Sequence, residues 1–409
     1  MKQMGPGLIT GAADDDPSGI ATYSQSGAQF GYGLLWTMAL TYPLMSAVQL
    51  ISAHIGRVTG KGLAANMRRL LPGWAMAALV TLLFVANTIN IGADIAAMGD
   101  AAQMVVGAGE HWFTIGFALL SLVLQVFVPY HRYARVLKWL TMSLLAYAAV
   151  LLVVHVDWAA AGIGLVIPTI AGASAVATIV AVFGTTISPY LFFWQSAQEV
   201  EEIEDDPEAL PLNDAPEQAP REMARMRVDT LAGMAFSNLI ALAIMVATAT
   251  TLHAKGVTEI ATAADAANAL RPVAGDFAFA LFALGIIGTG MLAVPVLAGS
   301  VAFAVGDWLG WKCGLEHRLQ EAKGFYSVIA VATLLGIGLD WAPIEPIQAL
   351  FWSAVINGVA AVPIMAVMMI VASSERTMGD FRVTGLLRAL GWLGTAVMAL
   401  AAVAMAAWP

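Results

Sequence analysis

The 409-residue sequence is poor in charge: Asp, Glu, Lys and Arg make up 11% of it, where soluble domains run to about 25%. That scarcity excludes an ordinary soluble domain, and 59% hydrophobic residues point to an all-α polytopic membrane protein. A single cysteine, Cys313, excludes an intramolecular disulfide and any cysteine-based metal site. Period-2 alternation is missing from the long apolar runs, which speaks against an outer-membrane barrel. There is no His-Glu-x-x-His and the six histidines are scattered, so an intramembrane metalloprotease has no basis and no enzyme is expected. The first residues lack the pattern of a cleavable signal peptide, because Lys2 stands alone and acids interrupt the apolar stretch, so the first span is expected to be retained. No nucleic-acid partner and no resident cofactor are expected.

What is present is a series of long apolar windows. Cut at lengths that cross roughly 30 Å of hydrocarbon, they give eleven candidate transmembrane helices, at 5–30, 34–56, 73–105, 112–129, 136–155, 174–200, 226–252, 275–306, 325–339, 344–372 and 385–408. With the N-terminus cytoplasmic, seventeen of the nineteen Lys and Arg fall on the inner side and only Lys255 and Arg271 outside. One missed span would scramble the later loops, so this bias supports both the count and its phase. It places the C-terminus outside and makes the chain a multi-pass protein of the inner (plasma) membrane, with the lipid bilayer as its partner and the monomer as its expected state. The formal charge of −9 sits mostly in an acidic, proline-bearing loop, 199–229, expected to be a solvated and partly disordered cytoplasmic connector. The Ala-rich outer loop, 253–273, is expected to carry a short surface helix.

The first span organises the rest. It contains Asp14, Asp15 and Asp16 directly before Pro17-Ser18-Gly19. An Asp at the centre of a spanning helix costs about 2.5 to 3.5 kcal/mol, and a break adds unsatisfied backbone groups at the same depth. Such a combination is tolerated where it lines a polar cavity. The plainer alternative is a solvated cap, with Asp16 at the N-cap and Pro17 as first helical residue.

The sixth span carries a second interruption, Thr185-Thr186-Ile187-Ser188-Pro189-Tyr190. Pro189 removes a backbone donor, so carbonyls around Thr185 and Thr186 lose intrahelical partners and become available as ligands. Taken alone, this is an ordinary proline kink. Paired with the first break, it marks equivalent places in two five-helix repeats, which must be inverted because five is odd, and such pairs point to a transporter site at the membrane midplane. The expected organisation is a first repeat at 1–155, an extracellular connector at 156–173, a second repeat at 174–372 that includes the acidic loop, and an eleventh helix at 373–409.

The acids near the breaks, with the hydroxyls of Ser18, Thr185, Thr186 and Ser188 and the freed carbonyls, form an all-oxygen anionic set without thiol, thioether or imidazole. That set suits a hard divalent cation. Mg²⁺ keeps several waters when protein-bound, and small neighbours such as Ala13, Gly19 and Ser188 leave room for them. Asn357 of the tenth span is a candidate ligand from the opposite side, or else a packing hydrogen bond. Asp94 and Asn90 of the third span, one turn apart, are expected to form a structural polar cluster, and Gln25 and Gln195 to bond between helices.

At these residues the sequence resembles the Nramp family of divalent metal transporters, most closely its prokaryotic Nramp-related magnesium transporters. The family's first-helix Asp-Pro-Gly-Asn stands here as Asp16-Pro17-Ser18-Gly19, and its sixth-helix Met-Pro-His as Ser188-Pro189-Tyr190. The resemblance implies a LeuT-like fold with helices 1 and 6 broken, Asp16 as principal metal ligand, and main-chain oxygens from Ala13 and Thr185. The departures carry information. Gly19 and Ser188 replace two family ligands, the second a soft thioether that favours transition metals, while Asp14 and Asp15 add charge.

The family's sixth-helix histidines fall at Tyr190 and Gln195, neither of which titrates near neutrality. Of its third-helix acids Asp94 remains, whereas Ala97 and Asn87 stand at the others, and the ninth span lacks the family's basic pair. These features imply import of hydrated Mg²⁺, and of Mn²⁺, by alternating access without proton coupling. A proton-coupled Mn²⁺ or Fe²⁺ importer of the Nramp type is the first alternative and a cation channel the second. An amino-acid symporter is opposed by three adjacent carboxylates that would repel a substrate carboxylate.

Overall fold

In a computed structural model the described residues are 6–107, 111–128, 137, 139–140, 142–170, 172–315, 317–341 and 343–407. Lys2, Arg132, Arg135 and Lys138 lie outside them. The described residues are helical in each of the eleven expected windows. The first window divides into α1 (Pro6–Asp14) and α2 (Pro17–Phe30), followed by α3 (Trp36–Thr59), α4 (Gly73–Val106), α5 (Trp112–Phe127) and α6 (Leu145–Val153). The sixth divides into α7 (Gly172–Thr186) and α8 (Pro189–Asp205). Next come α9 (Ala219–Thr251), α10 (Ala278–Leu309), α11 (Lys323–Ile337), α12 (Pro346–Ser373) and α13 (Gly385–Ala407). Among the described residues, seven stretches are long and apolar enough to cross a membrane by length and composition, and the described part of the acid-bearing first window is not among them.

Both breaks form for the same local reason. A residue before proline is pushed out of the α region by the pyrrolidine ring, and Asp16 (φ −75°, ψ 170°) and Ser188 (φ −77°, ψ 130°) are both extended. The half-helices ahead of the breaks are held by close backbone approach. A Cβ on Gly11 of α1 would collide with the backbone of Gly233 in α9, and one on Gly184 of α7 with the Ala354 carbonyl in α12. Only glycine admits such contacts. Around this centre, α4 packs against α10 and α12, while α13 lies at the periphery, its apolar side chains largely exposed as a lipid-facing helix requires.

Two expectations need correction. Of the acidic window 199–229, only 206–218 is loop, because α8 runs to Asp205 and α9 starts at Ala219. Its charges are not simply solvated. Arg225 Nη2 lies 2.7 Å from both Glu199 and Glu202, Arg225 Nε lies 3.0 Å from Glu222, and buried Arg57 reaches Glu222 at 3.0 Å. The loop itself is pinned by Leu212 N–H to the Arg57 carbonyl and Asn213 N–H to the Val58 carbonyl. In the outer loop, the short helix Ala263–Ala267 is not a surface helix: Ala263, Ala266 and Ala267 are buried. Alanine's small side chain lets this segment lie close against α10 and α4.

Arg57, Lys61, Arg68, Arg225 and Lys312, all assigned by sequence to one side, gather at one end of the molecule. Lys61 and Lys312 line one cleft, Arg68 donates to the Trp308 carbonyl at 2.8 Å, and Asn213 of the 206–218 loop reaches the Thr377 carbonyl.

Candidate metal site

Asp16 joins four helices. One oxygen, Oδ1, accepts from the Gly19 backbone N–H at 2.7 Å and from Ser18 Oγ at 2.8 Å, so the carboxylate caps α2. The other, Oδ2, accepts from Asn90 Nδ2 of α4 at 3.2 Å and from the Tyr190 hydroxyl of α8 at 3.3 Å. Asn90 Oδ1 in turn lies 2.6 Å from Ser353 Oγ of α12, whose one proton is shared with the Leu350 carbonyl at 2.7 Å. Asp16 is 1% exposed, so the cap and the buried acid are one residue. The sequence posed these as alternatives.

Asp14 and Asp15 turn elsewhere. Ser237 Oγ of α9 lies 2.6 Å from Asp14 Oδ2 and 3.0 Å from Asp15 Oδ1, and Asp14 Oδ1 has no hydrogen-bond partner. Sequence reading missed Ser237. The available signal was the polar pair Ser237-Asn238 within an otherwise apolar window, but its partners lie more than two hundred residues away. Among the described residues none of the three acids has a basic side chain in an ion pair, and all are buried to 3% exposure or less.

The second break supplies no formal charge. Pro189 would leave the Thr185 carbonyl without its helical donor, and the Ser188 hydroxyl fills the gap, lying 2.8 Å from both the Thr185 and Gly184 carbonyls. The expected free carbonyl at Thr185 is therefore shared with Ser188. Thr185 Oγ1 has no partner by hydrogen-bond geometry. It sits where a Cβ on Gly19 would come within 3.1 Å, so the glycine brings the two breaks into contact. The Ala13 carbonyl faces the Tyr190 hydroxyl at 3.4 Å; with one proton, Tyr190 serves either Ala13 or Asp16 at a time. Asn357 of α12 is fully buried with neither amide atom bonded. A buried amide left so costs about 1 to 3 kcal/mol unless a further polar partner meets it.

Residues at the family's relay positions are distributed unevenly. Gln195 accepts from Thr10, an interhelical bond between α8 and α1, and Asn87 donates to the Leu297 carbonyl and Ser300 of α10. Gln25 ties α2 to the outer loop through the Ile260 N–H. Asp94 is different: it is fully buried, and neither carboxylate oxygen has a partner.

Comparison with known proteins gives a consistent picture. A family model described as "Nramp: Natural resistance-associated macrophage protein-like" matches residues 7–407. The divalent metal cation transporter MntH of Yersinia pestis (strain Pestoides F) is 30% identical over 311 residues, covering 73% of this chain and 71% of that protein. MntH of Acidiphilium cryptum is 27% identical, with 97% and 88% covered. The crystal structure of the Eremococcus coleocola manganese transporter superposes with a TM-score of 0.76 at 16% identity, over 98% of this chain and 85% of that one. A nucleobase-cation-symport-1 family transporter in a closed conformation gives 0.56 at 12% identity, over 100% and 94%. At such identities the two structures speak for a shared fold, the LeuT-like transporter fold.

Proposed function

The chain belongs to the Nramp family and is a divalent metal cation transporter, not an enzyme, and from that premise we propose that its preferred cargo is hydrated Mg²⁺, with Mn²⁺ also carried. Transport proceeds by alternating access, down the electrochemical gradient and without proton coupling. The observation that carries this reading is the burial of three adjacent carboxylates, at an interrupted helix, with no basic partner among the described residues. Unpaired buried charge is strongly unfavourable and calls for a cation among those oxygens.

Asp16 is the principal ligand, with the carbonyls of Ala13 and Thr185 and the Ser188 oxygen around it. Gly19 leaves space where a ligand side chain would stand. Asp14 and Asp15, held by Ser237, attract the ion and bond its waters, and the unbonded amide of Asn357 meets the hydrated ion from α12. An all-oxygen set without thioether favours a hard cation that keeps part of its shell. The membrane potential supplies the drive, about 2.3 kcal/mol per charge per 100 mV. The N-terminus and the 206–218 loop face the cytoplasm, and the C-terminus lies outside.

A proton-coupled Mn²⁺ importer is favoured by one observation, the buried Asp94 with both oxygens unbonded one turn from Asn90. Uptake of Mg²⁺ and Mn²⁺ into proteoliposomes, followed together with internal pH, separates the two. The expected result is saturable Mg²⁺ influx without acidification, lost in Asp16→Ala. Acidification that scales with metal influx and disappears in Asp94→Asn would replace the uniport with the coupled reading, and single-channel currents would replace the carrier with a channel.

A further inference from the structure

A cleft of about 450 Å³ lies at the end of the molecule that carries the 206–218 loop. Its charged and titratable lining comprises Glu201 and Glu204 of α8, Asp307 of α10, Lys61, Lys312 and His317, and the chain's one cysteine borders it. Lys312 is taken up by Glu321 at 3.3 Å. Burial and the nearby Asp307, Glu201 and Glu204 carboxylates push the Cys313 thiol up to about 12, so it stays protonated at neutral pH.

Two helical stripes connect this cleft to the metal site. On α8, Tyr190, Trp194, Ala197, Glu201 and Glu204 follow one another at intervals of four and three residues and so share a face. Tyr190 contacts Asp16, and Ala197, Glu201 and Glu204 line the cleft. Eleven residues of rise separate Tyr190 from Glu201, about 16 Å along the axis. On α10 the matching stripe is Gly299, Phe303 and Asp307. Phe303 and Asp307 line the cleft, while higher on α10 a Cβ at Gly290 would lie 3.3 Å from Pro17 Cγ. Both helices thus run from the first break to the cleft. Between the two ends stands an edge-to-face pair, Trp194 and Phe303, with ring centroids 6.2 Å apart and planes at 70°. Trp194 is fully buried, its ring lying across Gly299, where a Cβ would come within 2.9 Å. Phe303 is backed by Phe325 at 4.9 Å.

We propose that the hydrated divalent cation leaves the Asp16 site along the seam between α8 and α10, that the Trp194–Phe303 pair closes this seam, and that the cleft edged by Glu201, Glu204 and Asp307 is the vestibule that receives it. This rests on the metal site and orientation proposed above. An aromatic pair is apolar and tightly packed, so it holds water and ion back until the two helices part, whereas the acids below it lower the cost of a divalent cation passing through a narrow, partly dehydrating space. A pair that served core packing alone would lower stability when truncated but would not change which side reaches Tyr190.

The test is thiol accessibility in a Cys313→Ser background, using an impermeant cationic methanethiosulfonate on inverted and right-side-out membrane vesicles. Glu208→Cys, in the exposed loop, fixes the sidedness. Ala197→Cys, below the pair, is expected to label from the Glu208 side, and Tyr190→Cys, above it, to label slowly. Adding Phe303→Ala or, in parallel, Trp194→Leu is expected to speed labelling of Tyr190→Cys about tenfold and leave that of Ala197→Cys unchanged. Unchanged labelling of Tyr190→Cys in both openings, or labelling of Ala197→Cys from the side opposite Glu208, overturns the proposal. Because the readout is access rather than flux, it is separable from the metal site: adding Asp16→Ala should abolish Mg²⁺ uptake yet keep the labelling pattern.

Discussion

At the first break the residue before proline is Asp16 and at the second it is Ser188, both extended and both followed by a helix that starts on the proline. In each, a side-chain oxygen handles what the interruption leaves open, but in opposite senses. Asp16 accepts from the orphan Gly19 N–H at the start of α2, whereas the Ser188 hydroxyl, with one proton, is shared between the Gly184 and Thr185 carbonyls at the end of α7. The first arrangement leaves a negative charge in place, half of it turned toward α4 and α8. The second leaves only dipoles. The difference teaches that two interruptions alike in backbone can differ in chemistry, and at the proposed cation site one would set the charge and the other the shape.

The largest test of this division is at Asp16. Replacing it with Ala removes both cap and charge, and divalent uptake in proteoliposomes should fall by more than the roughly 10- to 100-fold that outer-shell changes typically cost. Next comes Asn90→Ala, which takes away a donor to Asp16 while sparing the charge; uptake should drop within that roughly 10- to 100-fold range, with rescue by Asn90→Gln incomplete. Crowding the seats of the half-helices tests whether the breaks are held alike. Gly11→Ala and Gly184→Ala should each destabilise the protein by about 1 to 3 kcal/mol, read from thermal melting in detergent, because the added methyl meets backbone rather than a movable side chain. The smallest effect belongs to Ser188→Ala, a loss of about 1 kcal/mol of stability and a change in Mg²⁺ uptake of less than about tenfold. If Ser188→Ala matched Asp16→Ala, the division of labour would be wrong.

Much of this was legible in the residues. Each expected window holds helix, because long apolar runs have few ways to satisfy their backbone in a bilayer, and the two breaks fall where proline follows a capping residue. Asp16 and Asn357 stand out for the same reason, as polar groups too costly to leave in apolar surroundings without a task. What escaped depends on pairings made only in three dimensions. Ser237 is an unremarked hydroxyl until α9 brings it to Asp14 and Asp15. The acids of 199–229 suggested a solvated tract because composition cannot show that Arg57 and Arg225 meet them. Likewise Ala263–Ala267 appeared superficial because alanine is equally at home on a surface and in a tight seam.

The hydroxyl of Ser188 has one more implication. The carbonyls that a helix end leaves without a partner are satisfied by side chains, water or ligands. Here the Thr185 carbonyl is held by a side-chain donor two bonds from the backbone, so turning χ1 of a single serine releases it while α7 and α8 keep their length. If the Thr185 carbonyl is the ligand proposed above, such a rotamer change would let the site exchange an ion's water for protein oxygen, and back again, without moving a helix.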